Sequence, residues 1–244
     1  MRIAVLSDIH GNADALAAVL EDVKDRAPDA IVNLGDCFSG PLDVVRTHDL
    51  LSDAGITATV RGNHDRVLID GVGMDGWDRM AYPKITDAMR DWLSTLPVTA
   101  VLDEVFLCHA TPASDTAYWI DAYTDDGNAR RAPLDQITAL AEGITQRVML
   151  CGHTHVARSV HLADGRLLVN PGALGSPGFI DDAPRDNRRV SSGTPFALYA
   201  VLDRRNAVWT ASQHMVPYDT GPAISMARAA GCTDWEQALS TGWL

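Results

Sequence analysis

Ile3-Ala4-Val5-Leu6-Ser7-Asp8-Ile9-His10-Gly11-Asn12 decides the fold of this 244-residue chain. Its apolar start reads as a short strand that stops at Ser-Asp and a glycine. Beyond it, Leu16, Val19, Leu20 and Val23 recur at the spacing of one helical face. Asn12 suits the N-cap, where its side chain accepts from an orphan amide. A second apolar run, Ala30-Ile31-Val32-Asn33-Leu34, ends in Gly35-Asp36. Strand, helix and strand within about 35 residues make a βαβ unit, so the sheet contains parallel strands.

Working outward, a helix is expected over 44–54 and a strand over 57–61, ending in Gly62-Asn63-His64-Asp65. Ile85, Met89, Trp92, Leu93 and Leu96 share a helical face closed by Pro97. Further strands are expected at 98–102, 104–108, 147–151, 167–170, 196–202 and 207–212, the last two completing a second sheet. Residues 111–146 read as a helical excursion that could act as a lid. No repeat or Ser/Gly linker divides the chain, so 1–244 reads as one domain. Trp235, Leu239 and Trp243 lie at helical spacing and either dock the tail or form a dimer contact; the oligomeric state is open.

Composition narrows the function. Asp and Glu number 32 against 20 Lys and Arg, a formal net charge of −12 that argues against a nucleic-acid track or an anionic lipid surface. No run of about 18 apolar residues is present to span a membrane, and no secretory leader is expected. Cys37, Cys108, Cys151 and Cys232 form no C-x-x-C pair and read as reduced thiols of a cytoplasmic protein.

The chemistry lies just after the strands: Asp8 and His10, Asp36, Asn63-His64-Asp65, His109, and Gly152-His153-Thr154-His155. Five strands each deliver His, Asp or Asn at the carboxyl end, the rim where α/β sheets hold ligands. Taken singly the pieces have plainer explanations: a helix cap, turn chemistry, a core histidine. Their common placement carries the reading. In extended chain, residues i and i+2 point to one side, so Asp8/His10 and His153/His155 are expected to converge. Carboxylate, imidazole and amide oxygen without thiolate suit Mn, Fe or Zn in a reactive site. Seven donors suit two ions if one carboxylate bridges. Two ions about 4 Å apart clamp the attacking and leaving oxygens of a phosphoryl displacement.

On these residues, and on Asn170-Pro171-Gly172, the sequence resembles the calcineurin-like metallophosphoesterases. The likeness is to the small bacterial phosphodiesterase branch that includes dinucleoside-polyphosphate hydrolases. The resemblance implies a four-layer αββα sandwich, with two mixed sheets flanked by helices. It implies two divalent ions, Mn first, with Fe, Zn, Co or Ni as alternatives. Asp8, His10 and His155 would hold one, Asn63, His109 and His153 the other, and Asp36 would bridge. His64 would face the substrate instead of a metal.

The expected activity is hydrolysis of a small phosphodiester or a dinucleoside polyphosphate. Hydroxide held between the ions attacks phosphorus, and His64 serves the leaving group as general acid. Asp65 either orients His64 or caps the following helix. Ser/Thr protein phosphatases follow Gly-Asp with Asp-Arg, which Gly35-Asp36-Cys37-Phe38 lacks; Gly40-Pro41 matches the bacterial branch. A phosphomonoesterase is a second reading, and a non-catalytic scaffold of this fold conflicts with the complete donor set. Substrate contacts are open. Tyr118, Trp119, Tyr123, Arg130 and Arg131 either cover the substrate or pack as a surface helix, while Arg185, Arg188 and Arg189 read as a solvated loop. Two ions against Asp8 and Asp36 leave the centre at about +2, so global acidity is compatible with a small phosphate ligand.

Overall fold

Along β1 (Arg2–Leu6), Ile3 and Val5 enter one apolar cluster and Ala4 and Leu6 another, so both faces are buried. That alternation places β1 inside a sheet covered on both sides. The computed structural model describes residues 1–124, 128–181 and 188–244. The first sheet runs β14 (Val208–Val216), β13 (Ala197–Arg205), β1, β2 (Ala30–Asn33), β3 (Ala58–Thr59). β1 to β3 are parallel, and β13 and β14 add antiparallel. The second sheet runs β4 (Thr99–Leu102), β5 (Val105–Cys108), β8 (Val148–Leu150), β10 (Leu167–Asn170), β9 (Arg158–His161).

The strands expected near 196–202 and 207–212 therefore extend the first sheet, not the second. The reason is visible in β13. Tyr199 and Val201 pack on the helix side while Ala200 and Leu202 pack between the sheets, the same two-faced pattern as β1. The Arg2–Asp203 ion pair at 3.0 Å stands at the matching register position.

Helices α1 (Ala13–Arg26), α2 (Val44–Asp53), α3 (Asn63–Asp70), α4 (Gly76–Ala81) and α5 (Asp87–Thr95) all contribute to the cluster outside the first sheet. Val5, Val32, Leu107, Leu150 and Val169 fill the space between the sheets. The outer face of the second sheet is covered from the excursion after β5, through Trp119, Ile120 and Ile137. The architecture is the expected αββα sandwich of two mixed sheets.

That excursion departs from the helical expectation. Its described residues form a two-stranded ribbon, β6 (Asp121–Tyr123) with β7 (Ala129–Arg131), and one six-residue helix, α6 (Leu134–Ala139). Pro133 stops a helix from running through the excursion, and Trp119 is fixed by packing and by donation from Nε1 to the Ile137 carbonyl at 3.1 Å. A further ribbon pairs β11 (Gly178–Asp181) with β12 (Arg188–Ser191), placing Arg189 opposite Ile180; Arg185 lies outside the described residues.

Two helices close the chain, α7 (Gly221–Ala229) and α8 (Thr233–Thr241). Trp235 and Leu239 are buried with Leu42, docking the tail, whereas Trp243 is 60% exposed. All four cysteines are free and buried. Among the described residues, no helix is long and apolar enough to cross a membrane.

Candidate active site

The loops after β1, β2, β3, β5 and β8 meet at one rim, held together by their own backbones. Asp8 N–H donates to the Gly35 carbonyl and His10 N–H to that of Asp36, each at 3.0 Å; Gly152 N–H donates to that of His109 at 2.6 Å. The convergence of Asp8 with His10, and of His153 with His155, has a different cause from the extended geometry expected. Asp8, His10, Asp36, His153 and His155 all have φ between 50° and 67°. Left-handed backbone costs a non-glycine residue roughly 1–2 kcal/mol. It persists only where surroundings over-determine it, commonly at functional sites.

Those surroundings are specific. Asn170, the first residue of Asn-Pro-Gly, donates through Nδ2 to the Gly152 carbonyl at 2.7 Å and to Thr154 Oγ1 at 3.0 Å, fixing the His153–His155 turn. Asp8 accepts the His153 N–H at 3.0 Å and the Ser7 hydroxyl at 2.7 Å. Gly152 is required here by close approach, since a Cβ would stand 1.9 Å from Ser7 Oγ.

Two groups of donor atoms result: Asp8, His10 and His155, and Asp36, His109 and His153. Asn63 joins the second group, its Oδ1 lying 3.0 Å from His109 Nε2. Carbonyl partners on the far ring nitrogens of three histidines settle which nitrogen faces inward. His155 Nδ1 donates to the Ser176 carbonyl and His109 Nδ1 to the Leu34 carbonyl, so each leaves Nε2 inward. His153 donates through Nε2 to the Thr116 carbonyl at 3.0 Å and leaves Nδ1. His10 Nδ1 meets Ser39 Oγ at 2.6 Å.

The fit to cations follows from what then faces what. His10 Nε2 and His155 Nε2 stand 3.1 Å apart, and His109 Nε2 faces two oxygen acceptors, Asn63 Oδ1 and Asp36 Oδ2, the latter at 3.2 Å. Donor atoms this close need a positive centre among them, either a shared proton or a cation. Burial and neighbouring histidines push His10 well below its ordinary range, and His153 and His155 down to about 3, so all three are neutral donors at pH 7. Burial opposes charge on His109 as well, yet Asp36 and Asp8 outweigh it and hold the ring up at about 9. A proton there occupies the position a cation would take.

His64 belongs to neither group. It lines a cavity of about 560 Å³ with Asp36, Asn63, Trp77, Tyr118 and Phe179. Its backbone N–H donates to Asp36 Oδ1 at 3.0 Å, and its Nδ1 lies 2.7 Å from Asp78 Oδ1. Burial disfavours the imidazolium, but Asp36 and Asp78 prevail and raise the ring to about 10. Another groove, of about 570 Å³ between α1 and α2, holds none of these donors.

Residues 1–185 match the model of the calcineurin-like phosphoesterase superfamily domain. The chain belongs to that superfamily. A metallophosphoesterase of Sphaerobacter thermophilus shares the fold at a TM-score of 0.76 and 22% identity, over 99% of this chain and 100% of that one. A protein provisionally assigned as a diadenosine tetraphosphatase superposes at a TM-score of 0.51 and 17% identity, over 87% of this chain and 93% of its own. An uncharacterised protein of Methanocaldococcus jannaschii is 26% identical over 204 residues, 72% of this chain and 76% of that protein.

In this phosphoesterase the eight site residues named from sequence all come to the rim, but their supports were not legible. Asp78, Ser39, Trp77 and Phe179 carry no motif. Trp77 stacks on His64 with ring centroids 6.0 Å apart, and Phe179 meets His155 at 4.8 Å. Of the aromatic residues after β5, Tyr118 lines the cavity and Trp119 is buried in the core, a division that periodicity did not predict. Asp65 caps α3 and braces the Asp36 loop, while His64 takes Asp78 as its acid partner.

Proposed function

We propose that this metallophosphoesterase hydrolyses a small phosphodiester or a dinucleoside polyphosphate with two divalent ions, Mn first and Fe, Zn, Co or Ni as alternatives. Asp8, His10 and His155 would hold one ion, Asn63, His109 and His153 the other, with Asp36 shared. The observation that carries the reading is the convergence of two buried donor groups, with His10 and His155 Nε2 3.1 Å apart and His109 Nε2 3.0 to 3.2 Å from the Asn63 and Asp36 oxygens, while an imidazole outside both groups faces the same cavity.

Once bound, the ions would supply Lewis acidity toward the phosphoryl oxygens and an activated water. The chain's own residues do the rest. Asp36 meets His109 of the second group through its carboxylate, accepts the His10 N–H of the first through its backbone carbonyl, and takes the His64 backbone N–H. His64 gives its proton to the departing oxygen, so the leaving alkoxide never carries full charge. Trp77, Phe179 and Tyr118 wall the cavity and limit water beside the reacting group. Four free cysteines fit a reducing cytoplasm.

The test is a substrate panel on metal-stripped and metal-reconstituted protein: mono- and bis-p-nitrophenyl phosphate, cyclic nucleotides, diadenosine tetraphosphate and a phosphopeptide. Turnover of a diester or polyphosphate should appear only after Mn²⁺ is restored. His64→Ala should lose turnover of the cyclic nucleotides, whose alkoxide leaving groups need the proton, with metal content still near two per chain; loss of both metals would make His64 a ligand. No hydrolysis of any phosphorus ester with Mn²⁺, Fe, Co²⁺ or Zn²⁺ sinks the proposal.

A further inference from the structure

Resting on that reading, in which His64 serves the leaving group, we propose that Asp78 is a positioning residue. Its carboxylate holds the His64 ring by Nδ1 and leaves Nε2 as the nitrogen offered to the cavity.

A buried carboxylate is acceptor-only, so across 2.7 Å it is His64 Nδ1–H that donates. Asp78 is itself immobilised. It is 2% exposed, its Oδ2 accepts the Asp75 N–H at 3.2 Å, and its own N–H donates to Asp75 Oδ1 at 2.9 Å. This reciprocal pair closes the first turn of α4 and fixes the rotamer that reaches His64. The adjacent residue supplies the second constraint. Trp77 lies nearly parallel to the His64 ring, at 19°, and rests in turn on Trp235 at 4.7 Å. One bond sets the direction of the ring axis and one stack sets its plane.

His64, Asp75 and Asp78 also present donor atoms within 4.8 Å of one another, the pattern of a cation site. The Nδ1 to Oδ1 separation is that of a hydrogen bond, so a shared proton accounts for it. Metal content of the variants distinguishes the two.

The experiment compares Mn²⁺-reconstituted wild type, Asp78→Asn, Asp78→Ala, Asp78→Glu and His64→Ala on aryl phosphodiesters, with leaving groups from p-nitrophenolate to unsubstituted phenolate. A poor leaving group needs the proton, whereas p-nitrophenolate departs without it. Asp78→Ala should lose about 10²-fold in kcat on the phenolate ester and only a few-fold on the p-nitrophenolate ester. KM should be little changed, Asp78→Glu should recover part of the loss, and metal should stay near two per chain.

In metal-free protein the His64 Nδ1–H should show the NMR shift of a proton hydrogen-bonded to a carboxylate, and Asp78→Ala should lose that signature. If Asp78→Ala does not fold, Asp78→Asn, of equal size, carries the comparison. Equal loss across all leaving groups, full activity, an unchanged Nδ1–H signature or a fall in metal content overturns the proposal. Wild type that hydrolyses no ester removes the underlying reading and this one with it; turnover with uniform losses removes this one alone.

Discussion

Asp65, in the first turn of α3, accepts the backbone N–H of Asp36, in the loop after β2, at 2.8 Å. The same buried carboxylate accepts the N–H of Cys37 and of Gly62, each at 2.9 Å. One side chain therefore joins two of the strand ends that supply the site, and its geometry is that of a brace.

Asp65→Ala should be among the costliest single changes in the chain. It orphans three buried N–H groups, and an unsatisfied buried donor costs about 1–3 kcal/mol. A loss on the order of 3 kcal/mol in urea unfolding is expected, with weaker metal retention. An unchanged midpoint would mean that the loop does not need the brace.

Gly152→Ala should disturb the site through Asp8. The added Cβ would lie 1.9 Å from Ser7 Oγ and 2.7 Å from Asp8 Oδ2, so the carboxylate must move. Displacements near 1 Å at a reacting centre cost about 10²-fold in rate. Elemental analysis should show less than two metals per chain while circular dichroism keeps the native content. Full occupancy with full activity would contradict the expectation.

Metal removal should cost stability as well as activity. Ions that bind only the folded chain stabilise it by mass action, about 2.7 kcal/mol at a free concentration of about 100 Kd. Chelation should lower Tm and Mn²⁺ should restore it, with the gain shrinking as the pH falls and the donor histidines become protonated in the unfolded chain. A Tm indifferent to chelator would count against metal binding by these donors.

Far from the site, Asp22 accepts from Arg26 Nε at 2.7 Å and from the Tyr199 hydroxyl. The bond from Arg26 and then that from Tyr199 hold its carboxyl below the ordinary range. A depressed folded value means stability that is present above the unfolded value, about 3.9, and lost as pH falls through the folded one. Asp22→Asn should destabilise by about 0.5–1 kcal/mol at pH 7, and the difference from wild type should shrink as the pH falls below the ordinary carboxylate range. A pH-independent difference would show that packing, not charge, is at stake.

Local pattern was enough for the elements that frame the site and for naming the candidate donors, though not for the ribbon in the excursion after β5. The helical period of Leu16, Val19 and Val23 and the two-faced run Ile3 to Leu6 each report which side of an element is buried. Asn12 caps α1 as its chemistry requires, accepting the Ala15 N–H at 3.1 Å. Asp8, His10, Asp36, Asn63, His109, His153 and His155 were readable as candidates because each follows a strand, and the strand ends of the two packed sheets meet at one rim.

The tertiary structure decided what local pattern cannot carry. Which sheet β13 joins depends on a match with β1 almost 200 residues away. The left-handed backbone of Asp8, His10, Asp36, His153 and His155 exists only because other loops hold it there. His64 finds its partner on a helix 14 residues away, in Asp78, where sequence offered the adjacent Asp65. Periodicity encodes a face, whereas a hydrogen-bond partner is chosen by how folded elements pack, and that choice is made between segments, not within them.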